Sequence, residues 1–473
     1  MSKQYPNVVP YADGSQGLGT KEKMWRELYA KKLYGDEFAG GLLEVIEKLA
    51  TKASLAEVQG EIAFANAPNY YSQDTPWSAD TSLNHTTILS PDILWLNING
   101  KGHKLTEQIS IDISDPLVWD TEATKWTTAT KYEEGQYVYA TEASDKYMYI
   151  CTTAGTSSTL TPTWPTEVGT TYNDGSVVWE CVLNYAAAGN RAGGNFYIYA
   201  LYNEEGITPT FMVSASSYAP KAVDDDMYRR VGGFHCECAD IGELVPSTHK
   251  LYGWLAGDIL PASVWDCWHR PVSAPEGMVY DSRTDRWVDI YLTSYTGTLA
   301  DGDLRLQSVY NVTTADGTSA EAFHWYRFAR YYAEIHKYMP TQQEFMSASI
   351  GSNQATNIKG SADPGTTGGH SDTANRRMVS DIGCEDMCGA LWQWGNDQGG
   401  NTSSSSYSSQ YTAAEGTDQQ GQGYLVPARV LFGGGWDVTT RCGSRCSDWN
   451  DVPLSLNAFF GGRGFAEPVH RAS

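Results

Sequence analysis

From residue 76 onwards, apolar residues recur at helical spacing in one extended stretch, 317–338, and elsewhere alternate with polar residues or sit between glycine-rich turns. A chain patterned in this way has to bury itself mainly as sheet. The stretch 317–338 sets Ala322, Trp325, Phe328, Ala329, Tyr332 and Ile335 on one face and predicts one amphipathic helix. A second, short helix is expected after Pro340, where Thr341 caps the first turn and Glu344 completes a capping box. Strand alternation is clearest over 93–114, where Asn99-Gly100 and Gly102 mark a hairpin turn. It returns over 191–200, where Phe196, Ile198 and Ala200 alternate with Tyr197 and Tyr199. The polar, low-complexity segment 396–423 reads as a surface loop.

Two regions break that pattern. Over residues 21–65, Met24, Leu28 and Leu33, then Leu42, Leu43, Ile46 and Leu49, recur on one helical face with an interruption at Gly40-Gly41. Residues 1–75 are therefore expected to be an N-terminal helical region, either a local bundle or an attachment and assembly surface. Residues 118–184 are rich in Thr, Tyr and Trp, with turn clusters between short strands, and read as a small all-β module inserted into a host. The β-rich scaffold around it would span 76–117 and 185–310. Cys151 and Cys181 are expected in the module's core, and Trp164 either packs its turn at 162–165 or stacks on a sugar ring. The spacing of Trp126, Tyr132, Gly135, Tyr149, Asp174-Gly175 and Trp179 resembles that of small accessory modules in bacteriophage tail proteins.

The 473 residues exceed one compact core and suggest two to four domains at roughly 100–200 residues each. Lys and Arg total 33 against 56 Asp and Glu, a net charge of −23, so a phosphate backbone would be repelled and no nucleic-acid partner is expected. The start of the chain has no apolar core of signal-peptide length, and nowhere in the sequence is there an uninterrupted apolar run long enough to span a bilayer, so neither Sec export nor membrane insertion is expected. Nine cysteines, an odd number, fit thiols kept reduced where the chain is made.

Several catalytic readings fail on spacing. The chain has no Gly-x-Ser-x-Gly elbow, Walker loop, His-Glu-x-x-His or dinucleotide Gly-x-Gly-x-x-Gly after a strand. His235-Cys236-Glu237 imitates the His-x-Glu of zinc deaminases but lacks the Pro-Cys-x-x-Cys partner. Cys384 and Cys388 are at helical spacing without a second ligand pair, and Asp224-Asp225-Asp226 reads as a solvated turn. No cofactor and no metal site are expected, with a structural calcium ion left open.

Three segments together are specific: YMPTQQEFMSAS (338–349), GCEDMCGALWQWGND (383–397) and ARVLFGGGWDVTTRCGSRCSDW (428–449). Their order resembles the C-type-lectin-like domain shared by formylglycine-generating enzymes and by the variable proteins of diversity-generating retroelements, including the major tropism determinants of bacteriophages. Segments 231–242, 253–271 and 275–292 look more particularly like the variable-protein branch, and the resemblance covers about 90–115 and 185–473. Trp392 and Trp394 share one strand face. Gly433, Gly434 and Gly435 before Trp436 allow close packing or unusual dihedrals, and Arg445 and Arg463 can bond carbonyls of loops that have no ladder of their own.

The resemblance implies an α+β chain whose C-type-lectin-like domain occupies 311–473 and carries a variable segment at about 429–464. In such proteins error-prone reverse transcription at adenines diversifies Asn-type codons, which cannot then yield Lys, Glu, Gln, Met or Trp. Residues 429–464 contain no Lys, Glu, Gln or Met. Matched to the family's pattern, the diversified, ligand-contacting positions are Gly435, Asp437, Val438, Arg441, Asp448, Asn450, Asp451, Leu456, Asn457 and Phe459, with Cys442 and Leu454 as further candidates.

The function so implied is that of a non-enzymatic receptor-binding adhesin at a tail-fibre tip, made in the host cytoplasm and carried in the virion. Its partners would be a host-surface protein or glycan, other phage tail proteins, and itself, as a homotrimer. A cell-associated bacterial ligand-binding protein shares the same site. The rival is a copper oxidase resembling formylglycine-generating enzymes, invited by Cys442 and Cys446, although this pair has three intervening residues where that family has four.

Overall fold

The computed structural model describes residues 70–469 apart from 73–75, 83, 143–144, 222, 225, 402–405 and 410–421. The expected N-terminal helices, Asp225 and most of the 396–423 loop lie outside the described residues. Two compact units divide the chain. The described part of the smaller, at 70–72, 92–107 and 202–210, is built on the hairpin Leu94–Ile98 and Lys101–Leu105, flanked by Tyr71–Ser72. Its turn falls on Asn99 and Gly100, both left-handed at φ 48° and 78°, the conformation that an Asn-Gly pair tolerates best. The Asn97 side chain accepts the Gly100 N–H at 2.9 Å and closes that turn.

In the larger unit, residues 123–183 make a five-stranded sheet with its own core of Trp126, Tyr132, Val138, Tyr149, Cys151, Val177, Trp179 and Cys181. Asp174 organises it. Its carboxylate accepts the indole N–H of Trp126 at 2.8 Å and of Trp179 at 3.1 Å, and the backbone N–H of Ser158 at 2.9 Å. Burial alone would raise its pKa, but these donors prevail and hold it below the usual value. Trp164 stacks on Tyr149 at 4.1 Å and meets Trp126 and Trp179 edge-on, so its ring packs the core.

The host sheet begins at Asn195–Leu201, paired antiparallel with Tyr228–His235 and onward to Trp265–Asp266. Alternation over 196–200 does not separate a wet face from a dry one, because all five residues are buried. Covering both faces explains why aromatic residues occupy the positions that a half-exposed strand would give to polar ones. Arg191, itself buried, donates to the carbonyls of Ile113, Tyr185, Ala186 and Gly257, none of which belongs to a strand.

The C-terminal region has the hairpin β1 (Met278–Asp281) and β2 (Arg286–Asp289), then helices α1 (Trp325–Glu334) and α2 (Gln342–Ala348). A four-stranded sheet follows, built from β3 (Trp392–Asn401), β4 (Pro427–Phe432), β5 (Ser447–Asp451) and β6 (Phe460–Gly461) in the order β5-β4-β3-β6. The last strand, β7 (Phe465–Ala466), returns to pair with β2.

Helix α1 is shorter than its periodicity predicts. The Asp316 carboxylate accepts the N–H groups of Thr318 and Ser319 at 2.6 and 2.8 Å, and this local bonding holds 316–319 out of a helix. Ala322 is left-handed and His324 is extended, capping Arg327, so the helix begins at Trp325. Helix α2 starts on the expected capping box of Thr341 and Glu344.

Charged groups in this core are tied to one another. Arg377, buried, donates to Glu385 at 2.6 Å and to Glu237 at 3.2 Å. His370 lies 2.8 Å from Asp386, whose charge is the main reason its pKa rises to about 9, against the opposing effect of burial. The pKa is raised on folding, so the stability it contributes is fully present below about pH 6.5 and is lost as pH climbs through about 9. That contribution is on the order of 3 kcal/mol at about 1.4 kcal/mol per pH unit. Urea unfolding of wild type should therefore show a midpoint that declines between pH 6.5 and 9.5, and His370→Gln should flatten that decline while lowering stability at pH 6.

Candidate functional site

Strands β3 and β4 fix the floor of the site. Trp394 is fully buried, whereas Trp392, on the same strand face, keeps 9 % of its surface accessible and forms part of the floor with Leu431 and Phe460. Beyond β4 the chain turns through Gly433 and Gly434, both left-handed at φ 86° and 85°. A Cβ on Gly433 would lie 2.4 Å from the Met387 carbonyl oxygen, so only glycine lets the loop pass this close to the scaffold. The chain then forms a single 3-10 turn at Thr439–Arg441, the edge strand β5, and a loop back to β6. These loops and β5 enclose a cavity of about 700 Å³ above the aromatic floor.

Eight of the positions expected from the sequence line this cavity: Asp437, Val438, Arg441, Asp448, Asn450, Asp451, Asn457 and Phe459. Four do not. Gly435 is buried, and a Cβ there would lie 2.8 Å from Trp392 Cδ1 and 2.7 Å from Asp437 Oδ1. Cys442 is buried and donates its thiol to the Gly435 carbonyl at 3.4 Å. Leu454 is half-buried and Leu456 is 44 % exposed, both away from the lining. Residues absent from the sequence-based set are Arg445, Cys446 and Ser447, which approach β5 between expected positions, and the floor residues Trp392, Leu431 and Phe460. Among the described residues no loop carbonyl accepts from Arg445, which is exposed and lines the cavity. The floor has a signal in the Trp392-x-Trp394 spacing, which sets both rings on one strand face.

Edge strand β5 is guarded locally. The Asp448 carboxylate accepts the Asn450 N–H at 3.2 Å, and Ser447 accepts the Trp449 indole N–H at 2.9 Å. Among the described residues, no ion pair joins Asp437, Arg441, Arg445, Asp448 or Asp451. Burial, and then the charge of Asp448, raise the pKa of Asp451, opposed by a hydrogen bond from Ser455.

The thiols do not form an activated pair. Burial is the main effect pushing Cys442 up to about 12 and Cys446 up to about 11, so both stay protonated near neutrality. That is the wrong character for the thiolate pair that the oxidase reading requires. Among the described residues, one group could bring three ligand atoms together, the buried Glu237, Cys238 and Glu385. The Arg377 guanidinium already holds both carboxylates, taking the place that a cation would need. His235 bonds Asn195 and Tyr291 at 2.8 Å each and is pushed down to about 3 by burial, as befits a core histidine rather than a zinc ligand.

Comparison with known proteins accords with this geometry. No family model matches the chain. Over 297 residues, 58% of this chain and 71% of the relative, it is 31% identical to the tail fiber receptor-binding protein of Bordetella phage BPP-1. The chain belongs to the family of that tail-fibre receptor-binding protein. Two solved structures share the fold of this family member. The Major Tropism Determinant U1 variant superposes with a TM-score of 0.56 at 24% identity, over 85% of this chain and 87% of that one. The I1 variant gives 0.57 at 23%, over 87% and 88%. Among the described residues the architecture is mostly sheet with few helices, which agrees with the expected α+β class only in its coarse outline.

The tight glycine turn makes a direct prediction for this receptor-binding family member. Gly433→Ala forces a left-handed alanine against a backbone oxygen and should cost about 1–3 kcal/mol, read as a lowered melting temperature. Gly461→Ala, whose Cβ would meet the end of the Leu391 side chain at 2.8 Å, should cost less. Equal losses would contradict the role given to the Gly433 backbone.

Proposed function

We propose that this chain is a phage adhesin, mounted at the tip of a tail fibre in the virion, that binds a host-surface receptor through the cavity above β3 and β4. The observation that carries the reading is the convergence of eight sequence-selected positions on one cavity. Membership of the tail-fibre receptor-binding family supports it. In this reading 311–473 is the C-type-lectin-like domain, 76–117 and 185–310 lead into it, 118–184 is an inserted accessory module, and 1–75 attaches the protein to other tail proteins. No helix among the described residues is long and apolar enough to cross a membrane.

The adhesin is proposed to act as a homotrimer, so that several modest contacts add by avidity. Its variable segment is proposed to be rewritten by a retroelement. The absence of Lys, Glu, Gln and Met over 429–464 supports that, as does the placement of most selected positions on loops and an edge strand. The role calls for no catalytic residue, metal or cofactor, and the protonated, largely buried thiols suit it better than an oxidase. Leu454 and Leu456 are then rim positions, and Gly435 and Cys442 shape the loop from beneath.

The test is adsorption of the purified protein to a panel of bacterial strains. Replacing Asp437, Asp451 and Phe459 together by Ala should reduce adsorption to the best-bound strain at least tenfold, with melting temperature and oligomeric state unchanged. Full adsorption by a folded triple variant would move recognition elsewhere in the chain.

A further inference from the structure

Charge in the cavity is sorted by depth. The two guanidinium groups, Arg441 and Arg445, and the carboxylate of Asp437 are exposed at the rim. Asp448 and Asp451 are half-buried, and no cation is paired with either among the described residues. Beneath them lie the floor rings of Trp392 and Phe460, with the ring of Phe459 packed against Phe460. Two partly desolvated carboxylates three residues apart on one edge strand repel each other, and each is stabilised by any positive group placed between them. Aromatic rings below add attraction for the same kind of group through their π faces. An anion entering the cavity would meet the opposite: it would leave the solvated rim arginines and approach Asp448 and Asp451 in a chain of net charge −23.

We propose that the cavity takes a basic side chain, the ammonium of a lysine or the guanidinium of an arginine on a host-surface protein, seated between Asp448 and Asp451 over the rings of Trp392, Phe459 and Phe460. The proposal rests on the adhesin reading of this cavity and names the chemistry it selects. Rim charges of both signs favour a protein surface, which also carries both, over a uniformly anionic polysaccharide. Arg441, Arg445 and Asp437 then meet acidic and basic groups flanking the inserted side chain, while the volume of about 700 Å³ leaves room for the neighbouring residues of a protruding loop. Because the central contact is between opposite charges at a half-exposed site, binding weakens as salt rises.

The experiment uses the full-length protein and the strain it adsorbs to best. Asp448→Asn and Asp451→Asn preserve shape and remove charge. Each should weaken adsorption roughly tenfold to a hundredfold without changing the melting temperature, whereas Arg441→Gln should change it by less. Cells whose surface amines have been acetylated and whose arginines have been blocked with phenylglyoxal should no longer bind wild type, and neither should cells shaved with protease.

Adsorption that survives both chemical blocks overturns the proposal whatever the variants do. Loss on blocked cells with survival on shaved cells overturns the protein source, placing the ammonium on a sugar or lipid. If both Asn variants bind like wild type while Phe459→Ala does not, the basic-group proposal fails and the cavity stands. If Phe459→Ala and the Asn variants all bind normally, the cavity itself is not the receptor site.

Discussion

The structure around the cavity depends on one buried guanidinium. Arg463 is fully inaccessible, and it donates to the carbonyl of Asp289 at 2.6 Å, of Ile290 at 2.6 Å and of Glu385, and to the side-chain oxygen of Gln393 at 2.8 Å. Those four acceptors lie on the end of β2, on the loop before β3 and on β3 itself. A planar fork of donors satisfies carbonyls at a strand end and in the loops beside it together with one side-chain oxygen, and the cost of burying a charge is offset by the number of charge-assisted bonds it makes. Beside it, Lys337 is held 2.6 Å from Asp289, and Asp289 accepts the Gly464 N–H at 3.0 Å. The C-terminal return of the chain, the helical layer and the floor strands thus meet at a single polar junction.

That junction separates what is fixed from what is displayed. Trp392, Leu431 and Phe460 are anchored in the sheet and packed on α1 through Trp325, Phe328 and Tyr332. Asp437, Arg441, Asn450 and Asn457 are carried on loops, a 3-10 turn and an edge strand. Exchanging side chains in the second group alters the chemistry of the cavity while the first group keeps its depth and position.

Much of this was legible in the sequence. Hairpin 94–105 follows from Asn-Gly between alternating residues, and α2 from Thr341 and Glu344, because turn and cap chemistry are local. The length of α1 was misjudged, since an aspartate side chain bonding its own neighbours competes with helix and leaves no trace in hydrophobic spacing. The site was legible in part. Selection by codon pattern and family spacing identified Asp448, Asn450 and Asp451, but could not say that Gly435 lies too close to Trp392 for a side chain, a fact of tertiary packing. Nor could it reach Arg445 or Cys446, which enter the cavity through the path of the loop and not through any pattern of their own.

The bond from the Asn450 N–H to the Asp448 carboxylate has a further consequence. Strand β5 lies at the edge of its sheet, and a bare strand edge offers pairing to a second copy of the chain. A charged Asp448 and the bulky, exposed Trp449 on that edge oppose its pairing with another strand, so a residue that lines the cavity also bears on the sheet's edge. Any substitution at position 448 therefore acts twice, once on what the cavity can hold and once on whether the strand edge stays unpaired.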